Sequence, residues 1–188
     1  MKIFKIAFLI IFIFKMSTTK KESYDFGTRY TDLSCSADNV TVVLRYCYLK
    51  AYTRRLVTAN IGASLPSPLT KPIFIQIIYS YRYGNVYREA MKSPKVDWCD
   101  FMDGASKNVF MTSLFNELKN SVGDFFHKCP YSGIVDIKNI SSEHEKAAGI
   151  LWEGQYRIEL IVFNRKDGEA FRMKLGFQIK SDLKGSFG

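Results

Sequence analysis

The stretch Phe171-Arg172-Met173-Lys174-Leu175-Gly176-Phe177-Gln178-Ile179-Lys180 decides the fold class of this 188-residue chain. Large apolar side chains occupy every second position, and mostly charged or polar side chains lie between them. Because successive side chains of a β-strand point to opposite faces, this period of two predicts a strand with one buried and one solvated face. The expected buried face carries Phe171, Met173, Leu175, Phe177 and Ile179.

Earlier segments repeat this alternation and predict more strands. The expected inner positions are Ile158, Leu160 and Val162 after Tyr156, then Ile73, Ile75, Ile77, Tyr79 and Tyr81, and finally Val42, Leu44, Tyr46 and Tyr48. Asp167-Gly168 is a turn signal that should join residues 156–164 and 169–180 into an antiparallel hairpin. The pattern predicts a mainly β chain, an immunoglobulin-like antiparallel sandwich of six to eight strands.

One segment departs from the β pattern. Between Ser106 and Val122 the apolar side chains follow helical spacing, at Phe110, Leu114, Phe115, Leu118 and Val122. Ser106 is a residue type that favours a helix N-cap. We therefore expect one short helix inserted between Cys99 and Cys129, with Phe110, Leu114 and Phe115 placed to cover the sandwich.

The chain has four cysteines, at positions 35, 47, 99 and 129. In an oxidising compartment this number favours two disulfides, and four cysteines permit three pairings. Cys35 and Cys47 flank one expected strand pair. Short Cys-x-x-Cys or Cys/His spacings typical of zinc sites do not occur, so we expect no metal.

The motif order around the later cysteines resembles a known family. Trp98-Cys99-Asp100, Cys129-Pro130-Tyr131 and Gly154-Gln155-Tyr156-Arg157 occur in the order found in a family of small secreted insect proteins catalogued as a domain of unknown function. That family is related to the CheB-type chemosensory proteins. The same order is similar to the ganglioside activator of the ML lipid-recognition superfamily. The resemblance extends from about Leu33 to Phe177.

The resemblance implies a cup-shaped, ML-like β-sandwich that holds a lipid or another apolar molecule between its sheets. It also implies the disulfide pairing Cys35–Cys47 with Cys99–Cys129. The side chains expected near the ligand are those of the inner faces and of the inserted helix: Ile75, Ile77, Tyr79, Phe110, Leu114, Phe115, Ile158, Leu160, Val162, Phe171, Met173 and Leu175.

The first residues have the pattern of an export signal. Lys2 and Lys5 precede nine apolar residues, 6–14, which are far fewer than the about 20 needed to span a bilayer. We expect a signal peptide over residues 1–19, with an uncleaved anchor as the alternative, and one ML-like domain over 20–188. Asn39-Val40-Thr41 and Asn139-Ile140-Ser141 fit the N-glycosylation pattern, so Asn39 and Asn139 are candidate glycan sites in a secreted protein.

Charge and missing motifs narrow the function classes. The formal net charge is +9, and seven basic residues could form an anion patch: Arg54, Arg55, Lys71, Arg82, Arg88, Lys92 and Lys95. Without a nucleic-acid reader motif, a membrane surface or a receptor is the better expected partner, and a scattered solvated surface is the alternative. The sequence contains no phosphate-binding loop, nucleophile elbow or metalloprotease motif. We predict no cofactor and no catalysis.

These features support one functional hypothesis and leave one alternative. The first is a secreted, extracellular binding protein for a lipid or other small apolar ligand, with a chemosensory, pheromone-related role. Its pocket should have a volume of about 300–1,000 Å³. The rival is an extracellular protein-interaction module with a filled core. Fifteen Phe and eleven Tyr fit either reading, because a cavity wall and a packed core use the same side chains.

Overall fold

The computed structural model describes most of the chain after residue 24. The described residues are 25–53, 56–108, 111–112, 115–116, 122, 126–141, 152–164 and 168–182. The expected signal peptide and the predicted site residues Phe110 and Leu114 lie outside these ranges. No helix in these ranges is long and apolar enough to cross a bilayer.

The larger of two antiparallel sheets contains six strands. They are β1 (Asp25–Ala37), β4 (Ile73–Tyr83), β5 (Val86–Lys92), β6 (Val96–Asp97), β8 (Gly154–Asn164) and β9 (Gly168–Asp182). Their order is β1-β9-β8-β4-β5, and the two-residue β6 pairs with the start of β4.

The smaller sheet contains β2 (Val43–Ala51), β3 (Val57–Leu69) and β7 (Tyr131–Ser141), in the order β2-β3-β7. Side chains from both sheets share one hydrophobic cluster, with Ala63 and Leu65 of β3 beside Ile73 and Ile75 of β4. The prediction of a mainly β, antiparallel sandwich is confirmed. The described residues contain nine strands, one more than the upper end of the six to eight expected.

The C-terminal hairpin has the predicted register. β8 and β9 pair antiparallel from Gly154 opposite Ile179 to Asn164 opposite Gly168. The face of β9 that carries Phe171, Leu175 and Phe177 packs into the core clusters. Lys174 lies on the other face with its side chain 38% exposed.

One short helix, α1 (Trp98–Met102), begins one residue before Cys99. Asp97 caps it, because its carboxylate accepts hydrogen bonds from the backbone N–H groups of Cys99 and Asp100. Residues 111–112, 115–116 and 122 are also helical. The prediction that Ser106 caps this second segment is wrong. Asn108 has that role, since its side chain accepts from the N–H of Met111 at 3.0 Å.

The two disulfides tie elements that are distant in the chain. Cys35–Cys47 joins β1 of the larger sheet to β2 of the smaller sheet, and Cys99–Cys129 joins α1 to the residues just before β7. This is the pairing that the family resemblance implied. One bond therefore links the two sheets, and the other holds the helical connection against the smaller sheet.

The interior divides into two hydrophobic clusters. The second cluster fills the end of the sandwich where β8 starts and β9 ends, and the ring of Tyr156 stacks on that of Phe177 with centroids 5.4 Å apart. Tyr30 from β1 and Ala59 from β3 complete this packing. The first cluster lies toward the opposite end, next to α1.

Candidate functional site

The first cluster surrounds a cavity of about 210 Å³ between the sheets. Every lining residue that the structure describes is aliphatic, aromatic or a methionine. They are Val42, Ile61, Ala63, Leu65, Leu69, Ile73, Ile75, Trp98, Met111, Phe115, Val122, Phe126, Tyr131, Val135, Ile137, Ile140, Leu160, Val162, Phe171 and Met173. A cavity of this composition gives water no polar partner, so it favours an apolar occupant.

The two sheets supply opposite walls of the cavity. Side chains of β3 and β7 form one wall, and side chains of β4, β8 and β9 form the other. Within the second wall the strand register sets Leu160 opposite Met173 and Val162 opposite Phe171. Each wall is therefore fixed by ladder hydrogen bonds and not by a mobile loop.

Aromatic side chains from the helical connection form a third wall. The rings of Phe115 and Phe126 meet edge to face at 4.9 Å, and the ring of Phe126 lies 5.8 Å from that of Trp98. Phe101 packs against both Trp98 and Phe115. Such aromatic contacts stabilise beyond their buried area, so this wall is a packed unit.

Polar contacts around α1 hold that wall in place. Lys71 forms an ion pair with Asp100, and the Nζ of Lys128 lies 3.7 Å from the Oδ1 of Asp103. The hydrogen bond that the Lys71 ammonium donates to the Asp100 carboxylate raises the pKa of Lys71. Asp97, Asp100 and Asp103 are thus engaged in capping and ion pairing. The described residues contain no group of three or more His, Cys, Asp or Glu side chains that could hold a metal.

In the described part of the lining, two side chains carry a nitrogen or oxygen atom, and both are hydrogen-bonded. The indole N–H of Trp98 donates to the hydroxyl of Tyr131 at 2.9 Å, and that hydroxyl donates to the backbone carbonyl of His127 at 2.6 Å. Burial raises the pKa of Tyr131, so its hydroxyl keeps its proton at neutral pH. The imidazole of His127 stacks on the Tyr131 ring at 4.3 Å, outside the cavity lining.

Half of the twelve predicted ligand-site residues line the cavity. These six are Ile75, Phe115, Leu160, Val162, Phe171 and Met173. Four others do not, namely Ile77, Tyr79, Ile158 and Leu175. Ile77 and Tyr79 pack inside the first cluster, and Ile158 faces Leu175 beside the second. Alternation identifies the inner face of a strand, but it does not tell which part of that face meets empty space.

Two groups of lining residues were not predicted from the sequence: those of the smaller sheet, and the aromatic residues beside the disulfide Cys99–Cys129. Ile61, Ala63 and Leu65 alternate along β3, so the same pattern rule could have found them. Trp98 and Tyr131 were noticed only as parts of motifs, although each stands within two residues of a bonded cysteine. The cavity, at about 210 Å³, is also smaller than the predicted 300–1,000 Å³.

The basic residues do not gather into one patch in the described part of the chain. Lys71 pairs with Asp100 near α1, whereas Lys95 lies over the ring of Phe163 at 3.9 Å. Arg82 is at the far end of β4, where its guanidinium bonds the side chain of Gln155. Arg54 and Arg55 lie outside the described residues. An anion site built from these side chains together is not supported.

Comparisons with known proteins give a family match and a solved structure. A family model described as a protein of unknown function (DUF1091) matches residues 73–158, from β4 into β8. No curated protein matches the chain. Among solved structures, chicken MD-1 complexed with lipid IVa is 14% identical, with 87% of this chain and 94% of that chain covered and a TM-score of 0.30. The matched region is less than half of the chain, and it contains the three motifs that carry the family resemblance, from Trp98 to Arg157.

Proposed function

We propose that this protein is an exported, non-catalytic binding protein that holds one small apolar molecule in the cavity between its sheets. The observation that carries the proposal is the cavity of about 210 Å³ whose lining side chains are all apolar or have their polar atoms paired. An interior that served only stability would be filled, since protein cores pack as densely as organic crystals. An empty volume lined in this way is the default site for an apolar ligand.

The cavity volume sets the size of that ligand. An engineered apolar cavity of about 150 Å³ holds benzene, so by proportion 210 Å³ holds about eight carbon atoms. Burying eight carbons gains about 6 kcal/mol before the cost of immobilising the ligand. The proposed ligand is therefore a single short hydrocarbon segment, or one section of a longer lipid. A pheromone-related, chemosensory use is the finer proposal, and it rests on the family resemblance alone.

Export fits the two disulfides and the two candidate glycan sites. Disulfides persist in extracellular compartments. Asn39 and Asn139 are both exposed, and both have left-handed backbone conformations, with φ of 59° and 57°. Expression in secreting cells should yield protein whose mass falls on enzymatic deglycosylation. Retention of the unprocessed chain inside the cells would count against export.

Filling the cavity tests the binding proposal. Met173→Trp places a large ring system inside, and Lys174→Trp makes the same substitution one residue away on the outer face. p-Xylene, with eight carbons, is a suitable probe for isothermal titration. We expect wild type and Lys174→Trp to bind it equally, and Met173→Trp to bind at least tenfold more weakly while remaining folded.

A different outcome would favour the rival function. If wild type takes up no p-xylene and Met173→Trp unfolds, the interior has no usable space. The protein would then be an interaction module with a filled core, and a receptor would replace the lipid as its partner. Leu160→Trp is a second variant that fills the cavity, from the neighbouring strand β8 of the same sheet, so the conclusion does not depend on one position.

A further inference from the structure

Trp98 and Tyr131 form a hydrogen-bonded pair in the wall of the cavity, and this pairing leaves the described lining side chains without a free donor. Both residues are almost fully buried, at 5% and 6% exposure. The single N–H of Trp98 is committed to the Tyr131 hydroxyl, and the single hydroxyl hydrogen is committed to the carbonyl of His127. Among the described residues that line the cavity, no other side chain contains an N–H or O–H group.

The backbone offers a ligand no donor in the strand walls. The lining residues of β3, β4, β7, β8 and β9 belong to the strands of the two sheets. The amide groups of a strand lie in the plane of its sheet, toward a neighbouring strand or the sheet edge, and not toward the space between the sheets. A carbonyl or ether oxygen placed inside would lose its hydrogen bonds to water and find no replacement. Leaving a buried acceptor unpaired weakens binding by about tenfold or more.

We propose that Tyr131 is the specificity-determining residue of this cavity: by occupying the indole N–H of Trp98, it restricts the buried part of the ligand to pure hydrocarbon. This inference rests on the proposed binding function and adds the chemical class of the ligand. Any polar group of a longer ligand lies outside the cavity. A ligand with an oxygen in the middle of its chain is rejected, because that oxygen cannot reach solvent while the chain fills the space.

The inference predicts a change in specificity. In Tyr131→Phe the hydroxyl is gone, the ring that stacks on His127 is kept, and the N–H of Trp98 has lost its partner. A ligand oxygen can then occupy the vacated space and accept from the indole. The variant should bind oxygen-bearing chains that wild type refuses. A residue that only supports the fold would weaken all ligands alike.

Two probes of similar size and shape distinguish a specificity role of Tyr131 from a purely structural one. 4-Methyloctane and 4-octanone have nine non-hydrogen atoms each and differ in a methyl or oxygen at the same carbon. Wild type should bind the hydrocarbon at least tenfold more tightly than the ketone. Tyr131→Phe should reduce that ratio by about tenfold, mainly by binding the ketone better. Tyr156→Phe removes a tyrosine hydroxyl bond to Trp152 far from the cavity, and it should leave the ratio unchanged.

A second change identifies the donor. Adding Trp98→Phe to Tyr131→Phe removes the indole N–H, so the preference for the hydrocarbon should return. Wild type that binds both probes equally, or a ratio that does not respond to Tyr131→Phe, would overturn the inference while leaving apolar binding intact. Failure of wild type to bind either probe would instead overturn the proposed function on which the inference rests.

Discussion

Affinity for straight-chain alkanes should rise with length and then stop rising at a length set by the cavity. Each added CH₂ that enters the cavity gains about 0.8 kcal/mol, which is about fourfold in affinity. A volume of 210 Å³ accommodates about eight carbons, so binding should tighten by about 60-fold from pentane to octane. Beyond octane the added carbons find no space, and the gain should vanish.

Headspace gas chromatography measures this directly, because the protein lowers the vapour concentration of each alkane from pentane to dodecane. Leu160→Trp reduces the cavity volume, so affinity should stop rising at a shorter alkane than in wild type. Lys174→Trp, on the outer face, should not change that length. A rise that continues unbroken to dodecane would refute the assignment of the ligand site to this cavity.

Three further predictions concern the framework. Leu175→Asp, beside the second cluster, should cost about 3 kcal/mol or more of unfolding free energy, whereas Lys174→Thr should cost less than about 1 kcal/mol; equal losses in denaturant titrations would disprove the register. Replacing Cys99 and Cys129 together by alanine removes a bond that closes a 30-residue loop and should cost about 3 kcal/mol, and an unchanged midpoint of unfolding would contradict this. Hydrogen bonding from a nearby arginine lowers the pKa of Glu169, so its stabilisation exists above the unfolded-state pKa and disappears as pH falls through the folded value. The stability difference between wild type and Glu169→Gln, below about 1 kcal/mol at pH 7, should therefore shrink below about pH 4, and a difference constant down to pH 3 would contradict the assignment.

The sequence predicted the strands that alternate cleanly, and it predicted them for a physical reason. β9 buries one face and exposes the other, so its pattern determines both its structure and its orientation. The hairpin of β8 and β9 followed from one turn signal and two such patterns. By contrast, most of β3 is buried on both faces, so the alternation in its sequence does not tell which face lines the cavity.

The position of the cavity could not be predicted, because empty volume depends on contacts between distant segments. Ile75 and Ile77 are equivalent in sequence, two positions apart on one face of β4. Ile75 lines the cavity, whereas Ile77 is enclosed at 1% exposure. What separates them is the packing of the opposite sheet and the helical connection. Trp98 and Tyr131 are 33 residues apart, so the pattern of neighbouring residues in the sequence does not predict their hydrogen bond.

The most direct test of the central claim is native mass spectrometry of the secreted protein, combined with extraction of whatever it carries. We expect one apolar molecule per chain, or uptake of one p-xylene per chain by extracted protein, and loss of this binding in Met173→Trp. A chain that carries nothing, takes up no apolar probe and behaves identically in Met173→Trp and Lys174→Trp would contradict the claim that the cavity is a binding site.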